Sequence, residues 1–192
     1  MKIEEILKMA DVSEIHNFVK LYLVENSKLN AVNFKIFNYV SKDSFRPALS
    51  GVYHKNGHQI ATDGIILVGI ISNYPEEYEG KIIDNKGREL EYKYVDYEKV
   101  IPKSNCTIVN LDENLIKDNY KRYKVEKKAK GEFNKYYKMK IGEFYYNIEY
   151  LYLKVLPFYD RMYGLCETSE IGILKITNDL GERLVLYPIR EV

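Results

Sequence analysis

The side chains most typical of catalysis or metal binding fall in one short stretch, FRPALSGVYHKNGHQIATDG, residues 45–64. Three of them could ligate a metal or transfer protons: His54, His58 and Asp63. Two histidines four residues apart suit a metal when both lie on one face of a helix. Here Asn56-Gly57 lies between them, and that dipeptide favours a type I′ turn joining two strands. We therefore interpret the stretch as a scaffold hairpin, and keep a metal-dependent hydrolase or nuclease using these three residues as a third alternative.

Other catalytic signatures are absent from the sequence. It contains no GxSxG or Walker A motif, and no Cys-His pair at a spacing that indicates catalysis. Cys106 and Cys166 are isolated and could not form a structural zinc site without the scattered histidines. A turn aspartate that hydrogen-bonds its own backbone explains Asp63 before Gly64. The sequence therefore predicts a non-enzymatic protein that needs no cofactor.

The composition is that of one globular domain, or two very small ones. The chain has 192 residues, a net charge of +1, and 19 tyrosines with no tryptophan, so any attraction to nucleic acid must come from local patches. Its N-terminal sequence, MKIEEILKMADVSE, has acids where a signal peptide needs an apolar core. No apolar run reaches the length of a membrane span. We expect a reduced, cytoplasmic protein that does not bind membranes.

The first half reads as helices followed by strands. Apolar residues recur at helical spacing over 13–26 and 29–40, and Arg46-Pro47 ends the second run. The period then changes to that of strands, with turns at Asn56-Gly57 and Asp63-Gly64. The apolar run IILVGII, residues 65–71, predicts a strand buried on both faces. Short strands and a hairpin at DNKG, residues 84–87, are expected before residue 102.

The second half repeats this order. Asn147 can cap a helix that Pro157 ends or kinks, and IGILKIT and RLVLYPI then read as strands around an NDLGE turn. Helix plus three strands thus occurs twice. The repeat predicts an α+β fold with two helices on one face of antiparallel sheets.

Between the halves lies a basic segment, Lys117 to Lys140, with ten Lys or Arg against three acids and interleaved tyrosines. Such a segment suits phosphate binding with aromatic stacking platforms. The alternative is a solvated, partly flexible loop or strand pair.

Three segments together resemble the bacterial sliding clamp, the beta subunit of DNA polymerase III. The first is Arg46 followed by LSGV, a hairpin and ATDG, which ends at Gly64. The second is YVDYEKVIPKS at 94–104, where Val95 replaces a proline of the family. The third is the tail, FYYNIEYLYLKVL and the terminal LVLYPIREV. The resemblance covers residues 28–104 and 141–192.

This resemblance implies a clamp-like domain at 28–192, with a basic insert around 112–140 and an N-terminal helical extension at 1–27. A clamp subunit has three such domains and closes a ring as a dimer, whereas this chain has material for one. Its open sheet edges must be capped, giving a monomer, or paired in a homo-oligomer. A compact clamp-like protein of a phage or mobile element, acting in DNA replication or repair, fits these features.

Clamps hold double-stranded DNA by sequence-independent phosphate contacts from their helices. The cations expected to contact DNA are five that follow from the resemblance and three from the basic segment: Lys35, Lys42, Arg46, Lys154, Arg161, Lys127, Lys128 and Lys130.

The family also binds short linear peptides of replication and repair proteins in an apolar pocket. The matching positions are Thr62, Gly64, Leu67, Pro102, Pro188 and Ile189. Alternatively, these side chains close the core of a lone domain. Ile65-Ile66 stands where the family commonly has His-Arg. The leading hypothesis is therefore a non-enzymatic clamp-like protein that binds the DNA backbone, partner peptides, or both; the second is a clamp-fold adaptor without DNA binding.

Overall fold

The computed structural model describes residues 35–103, 106–129, 137–162, 165–178 and 180–189. The predicted helix over 13–26, and most of that over 29–40, lie outside the described residues. Within the described part, every helix is too short or too polar to cross a bilayer.

The strands form one large antiparallel sheet and one separate hairpin. Their bounds are β1 Val52–Lys55, β2 His58–Thr62, β3 Ile66–Ile71, β4 Ile82–Ile83, β5 Glu89–Leu90, β6 Cys106–Ile108, β7 Lys138–Ile141, β8 Phe144–Asn147, β9 Leu165–Ser169, β10 Leu174–Thr177 and β11 Arg183–Leu186. The large sheet has the order β5-β4-β1-β2-β3-β11-β10-β9-β6, and β7 pairs with β8. The predicted α+β fold with an antiparallel sheet is confirmed.

The predicted hairpins form for the expected backbone reason. Asn56 and Gly57 both have positive φ, 51° and 73°, as the turn between β1 and β2 requires. The strand predicted from IILVGII is β3, which is buried along almost its whole length. The DNKG turn joins β4 to β5, where Ile82 lies opposite Leu90.

The two halves of the sheet meet where β3 pairs with β11, which we call the seam. Strand order is symmetric about it, with β1-β2-β3 on one side and β11-β10-β9 on the other. The strand part of the repeat expected from the sequence is therefore present as two three-strand meanders. Val52 and Val185 belong to the same sheet.

Two helices of the described residues cover one face of the sheet. The first, α1, is Glu113–Lys128, and Asp112 caps it by accepting the N–H of Leu115 at 2.9 Å. The basic segment, for which a loop or strand pair was one of two alternatives, is thus helical up to Lys128. Lys, Arg and Glu are good helix formers, and Ile116 and Tyr123, seven residues apart, are buried on one face.

The second helix, α2, consists of Ile148–Tyr150, Leu151–Val155 and Leu156–Met162. Asn147 caps it as expected, accepting the N–H of Glu149 at 2.8 Å. The helix continues past Pro157, and a π-helical turn precedes that residue, with the Leu156 N–H bonded to the Leu151 carbonyl. Proline has no N–H to donate, so widening the preceding turn accommodates it within the helix.

The sheet is covered on both faces, because alternate residues along each strand enter different apolar clusters. Val68 and Leu184 pack under α1, α2 and a 3₁₀ turn at Ile36–Tyr39, which we call the helix layer. Leu67 and Val185 point the other way, towards Tyr94 and the 3₁₀ turn at Tyr97–Val100. Further 3₁₀ turns occur at Pro47–Leu49 and Glu76–Tyr78.

Candidate binding groove

The turn between β2 and β3 is organised by one carboxylate. Asp63 accepts the N–H groups of Ile65 and Ile66 at 3.0 Å each with its Oδ1 atom. Gly64 has a φ of +91°, a backbone conformation that residues with a side chain rarely adopt, and the Arg46 guanidinium lies against it. The turn therefore needs glycine at this position, as expected for the ATDG sequence.

The other oxygen of Asp63 binds α2. Its Oδ2 accepts the Tyr150 hydroxyl at 3.0 Å and Lys154 Nζ at 2.6 Å. Burial alone would raise the pKa of Asp63, but the hydrogen bonds from Lys154, Ile66 and Ile65 outweigh it and lower that pKa. Burial, with the nearby Asp63 charge, raises the pKa of Tyr150, so its hydroxyl keeps the proton that it donates.

An apolar groove of about 730 Å³ lies beside this turn and along the seam. We call it the seam groove; its lining comes from the turn, the start of α2, the β9–β10 connection and the chain after β11: Gly64, Ile65, Asn147, Tyr150, Ile171, Ile173, Leu186, Tyr187, Pro188 and Ile189. Its volume is in the range of about 300–1,000 Å³ typical of ligand sites.

Two backbone hydrogen bonds hold the chain after β11 in place along the groove. The Tyr187 N–H donates to the Ile65 carbonyl at 3.1 Å, which extends the seam by one residue. The Ile189 N–H donates to the Tyr145 carbonyl of β8 at 2.7 Å. Pro188, between them, has no N–H to satisfy. The wall is therefore fixed by main-chain contacts to two separate strands or turns.

A second pocket of about 390 Å³ adjoins the seam groove and shares Ile171, Ile173 and Tyr187 with it. Its other lining residues are Lys99, Val100, Ile101, Pro102, Ser169 and Glu170. Ile171 is 71% exposed, so an apolar side chain common to both pockets faces solvent. The two pockets together can accept apolar side chains from an extended segment.

Four of the six positions expected to bind peptide line these pockets: Gly64, Pro188 and Ile189 in the seam groove and Pro102 in the adjoining one. Thr62 and Leu67 are buried beneath them. The Thr62 hydroxyl donates to the Ile66 carbonyl at 2.7 Å and accepts the Gly64 N–H at 3.0 Å. Thr62 thus supports the turn, and Leu67 belongs to the core.

Six of the eight cations expected to contact DNA have described side chains, and they fall into three groups. Lys35, Lys42 and Lys128 are exposed within or beside the helix layer. Lys127 pairs with Glu149 at 3.2 Å. Arg46 and Lys154 both contact Asp63. Arg46 Nη1 lies 3.5 Å from the Asp63 carbonyl, and Lys154 Nζ lies 2.6 Å from Asp63 Oδ2. Lys130 and the side chain of Arg161 lie outside the described residues.

The two histidines considered as metal ligands lie on opposite faces of the sheet. His54 lies opposite Gln59 and packs against the Tyr74 ring, with centroids 4.7 Å apart. His58 is on the other face, because it alternates with Gln59 along β2. Among the residues that the structure describes, no group of three His, Cys, Asp or Glu side chains could hold a metal ion.

Sequence reasoning missed several groove residues, chiefly Ile171, Ile173 and Tyr150. Ile171 and Ile173 flank the β9–β10 turn and read only as strand residues. Tyr150 was one of many tyrosines in its region. The signal that could have identified it is its spacing, four residues before Lys154, which places both on one face of α2.

The fold is that of the bacterial sliding clamps, the beta subunits of DNA polymerase III. The clamp of Bartonella birtlesii, solved bound to griselimycin, has a TM-score of 0.58 and 13% identity, with 80% of this chain and 62% of the clamp covered. That of Caulobacter crescentus has a TM-score of 0.58 and 16% identity, over 90% of this chain and 63% of the clamp. The clamp of Thermotoga maritima has a TM-score of 0.53 and 17% identity, with 81% of this chain and 61% of the clamp covered.

Neither a protein-family model nor a curated protein sequence matches the chain. At the identities above, the likeness to the solved clamps shows the fold, and it confirms the resemblance seen in the sequence motifs. The matches span about three fifths of the length of those clamps.

Proposed function

We propose that this chain is a non-enzymatic docking module with the sliding-clamp fold, which binds short linear peptides of partner proteins in the seam groove. One observation carries the proposal. Gly64, Pro102, Pro188 and Ile189 come from three distant parts of the sequence, and they line two adjoining apolar pockets. These are four of the six positions that the motif resemblance to clamps marks for peptide binding.

The groove has the features that an extended peptide requires. Its apolar lining offers sites for alternate side chains, and Ile65 and Ile171 are both substantially exposed. An exposed apolar surface of this kind costs free energy unless a partner covers it. Two of its walls are held by the Asp63 and Ile189 hydrogen bonds, so little ordering is needed on binding.

The proposal is tested by selecting ligands without assuming a partner. Random 12-residue peptides displayed on phage are selected against the full chain, and the affinity of an enriched peptide is then measured by fluorescence anisotropy. Ile171→Glu should weaken binding at least tenfold, because it places a charge between the two pockets. The matched control is Ile108→Glu, since Ile108 is 68% exposed at the edge strand β6 and lines neither pocket. Failure to enrich any peptide, or equal affinity of both variants, would contradict the proposal.

Binding of duplex DNA on the helix layer is the second candidate function. α1 carries six Lys or Arg against three acids, which gives this helix a net charge of +3. Lys124 and Lys128 are exposed on it. Part of this net charge is compensated from outside the helix, since Lys127 pairs with Glu149 of α2 at 3.2 Å. Weak, salt-sensitive contact with phosphates is what such a surface supports.

A further inference from the structure

The two walls of the seam groove that flank Asp63 come from different elements. Gly64 and Ile65 belong to the β2–β3 turn, and Tyr150 belongs to α2. Both walls are bonded to the same carboxylate: Oδ1 holds the turn through two amides, and Oδ2 holds the Tyr150 hydroxyl. The distance between the walls therefore depends on this one side chain.

Lys154 of α2 keeps the Asp63 carboxylate in place through an ion pair. Its Nζ atom lies 2.6 Å from Asp63 Oδ2 and 4.6 Å from the centre of the Tyr150 ring. The two side chains of the ion pair are only 20% and 12% exposed. The Lys154 carbonyl in turn accepts the Tyr39 hydroxyl at 2.7 Å, so the network reaches the turn at Ile36–Tyr39.

We propose that Asp63 is the positioning residue of the seam groove: its carboxylate sets the Gly64-Ile65 wall against the Tyr150 wall, and Lys154 holds it there. This inference rests on the proposed peptide-binding function. Lys154 is one of the cations expected from the sequence to contact DNA, and in this proposal it also supports the peptide site. Arg46 assists from the outer side, where it covers Gly64 and approaches the Asp63 carbonyl.

A positioning role differs measurably from a contribution to stability alone, and the chain offers a matched ion pair for comparison. Lys175 and Glu167 form a cross-strand pair at 2.7 Å, with exposed fractions of 14% and 16%. Neither residue lines the seam groove or the adjoining pocket. Glu167→Gln therefore breaks an equally shielded pair without touching the groove.

The experiment compares Asp63→Asn, Tyr150→Phe, the double variant of these two, Asp63→Ala and Glu167→Gln in the full chain. A fluorescein-labelled peptide from the phage selection is titrated, and amide hydrogen exchange is measured without peptide. Asp63→Asn should weaken peptide binding at least tenfold and Tyr150→Phe about fivefold, whereas Glu167→Gln changes it less than twofold. The double variant should bind no more weakly than Asp63→Asn alone, because both substitutions remove the same link. Protection of the Ile65 and Ile66 amides should fall at least tenfold only in Asp63→Ala, because Asn keeps an Oδ1 atom that can still accept both N–H groups.

Equal peptide affinity of the wild type, Asp63→Asn and Tyr150→Phe would overturn the positioning role. Unchanged protection of the Ile65 and Ile66 amides in Asp63→Ala would also overturn it, whether or not a peptide binds. A wild-type chain that binds no selected peptide, while Asp63→Ala still loses amide protection, would overturn the proposed function and support the hold of Asp63 on the turn. The two failures are therefore distinguishable.

Discussion

Leu67 of β3 lies directly opposite Val185 of β11, and both side chains are almost completely buried, at 3% and 0% exposure. They join the first meander of the sheet to the second, since β3–β11 is the contact between the two halves. The same pairing continues to Ile66 and Leu186, and then to the walls of the seam groove. Stability of the sheet and shape of the groove are thus linked.

Leu67→Ala should lower the free energy of unfolding by about 2–5 kcal/mol, because it leaves a cavity in a packed layer. Urea denaturation followed by circular dichroism measures this change. Ile108→Ala, at an exposed edge position, should change it by less than about 0.5 kcal/mol. A small effect of Leu67→Ala would show that the seam is not part of the cooperative core.

Asp63→Asn should cost about 2 kcal/mol of stability at neutral pH, because Lys154 loses its charged partner in a shielded site. The wild type should also lose stability as the pH falls below about 4. The folded chain lowers the pKa of Asp63, so the unfolded chain takes up the proton first. The stabilisation is therefore complete above the unfolded pKa and is lost as the pH falls through the folded one.

Chemical denaturation between pH 3 and pH 7 tests this dependence. Asp63→Asn should have a flatter pH profile than the wild type, whereas Asp118→Asn, at an exposed site on α1, should keep the wild-type profile. Identical profiles for the wild type and Asp63→Asn would be inconsistent with a paired, charged Asp63.

His54 predicts a second pH dependence, in a different range. It is buried against Tyr74 and Tyr78, and burial lowers the pKa of its imidazole. The unfolded chain therefore binds a proton at His54 more readily, and stability should fall as the pH drops below about 6.5. His54→Phe, which keeps a ring at this position, should make the melting temperature less sensitive to pH between 7 and 5.

Thermal melts over this range, followed by circular dichroism, check the expectation. His58→Gln is the control, because His58 lies on the face of the sheet opposite His54. It should retain the wild-type slope. If His54→Phe retains that slope too, His54 is not the group responsible.

Local signals predicted the parts of this fold that local chemistry determines. Asn56-Gly57 gave the first hairpin because both positions need positive φ, and Asn147 gave the start of α2 because its side chain replaces a backbone acceptor. The helix α1 was missed because its many charges obscured the spacing of Ile116 and Tyr123. Charge runs describe the solvent face of a helix and contain little information about its buried face.

The residues of the seam groove could not be predicted from the spacing of residues along the sequence. Pro102 and Pro188 were associated through the resemblance to clamps, since nothing local in either segment indicates the other. The partnership of Asp63 with Tyr150 and Lys154 depends on how α2 crosses the sheet. The carboxylate was therefore interpreted from the sequence as a simple turn residue, which is only half of its observed role.

DNA binding by the helix layer is tested by comparing the same charge reversal, Lys to Glu, on two opposite faces of the protein. Lys128→Glu should weaken binding to a 30-base-pair duplex and reduce the slope of log K against log salt, by about one for each phosphate contact removed. Lys93→Glu makes the same change beside Tyr94, on the face opposite the helix layer, and should leave binding unaltered. Both variants have the same net charge, so a difference between them isolates position. Equal effects would indicate a non-directional response to net charge, and the helix layer would then have no specific role in holding DNA.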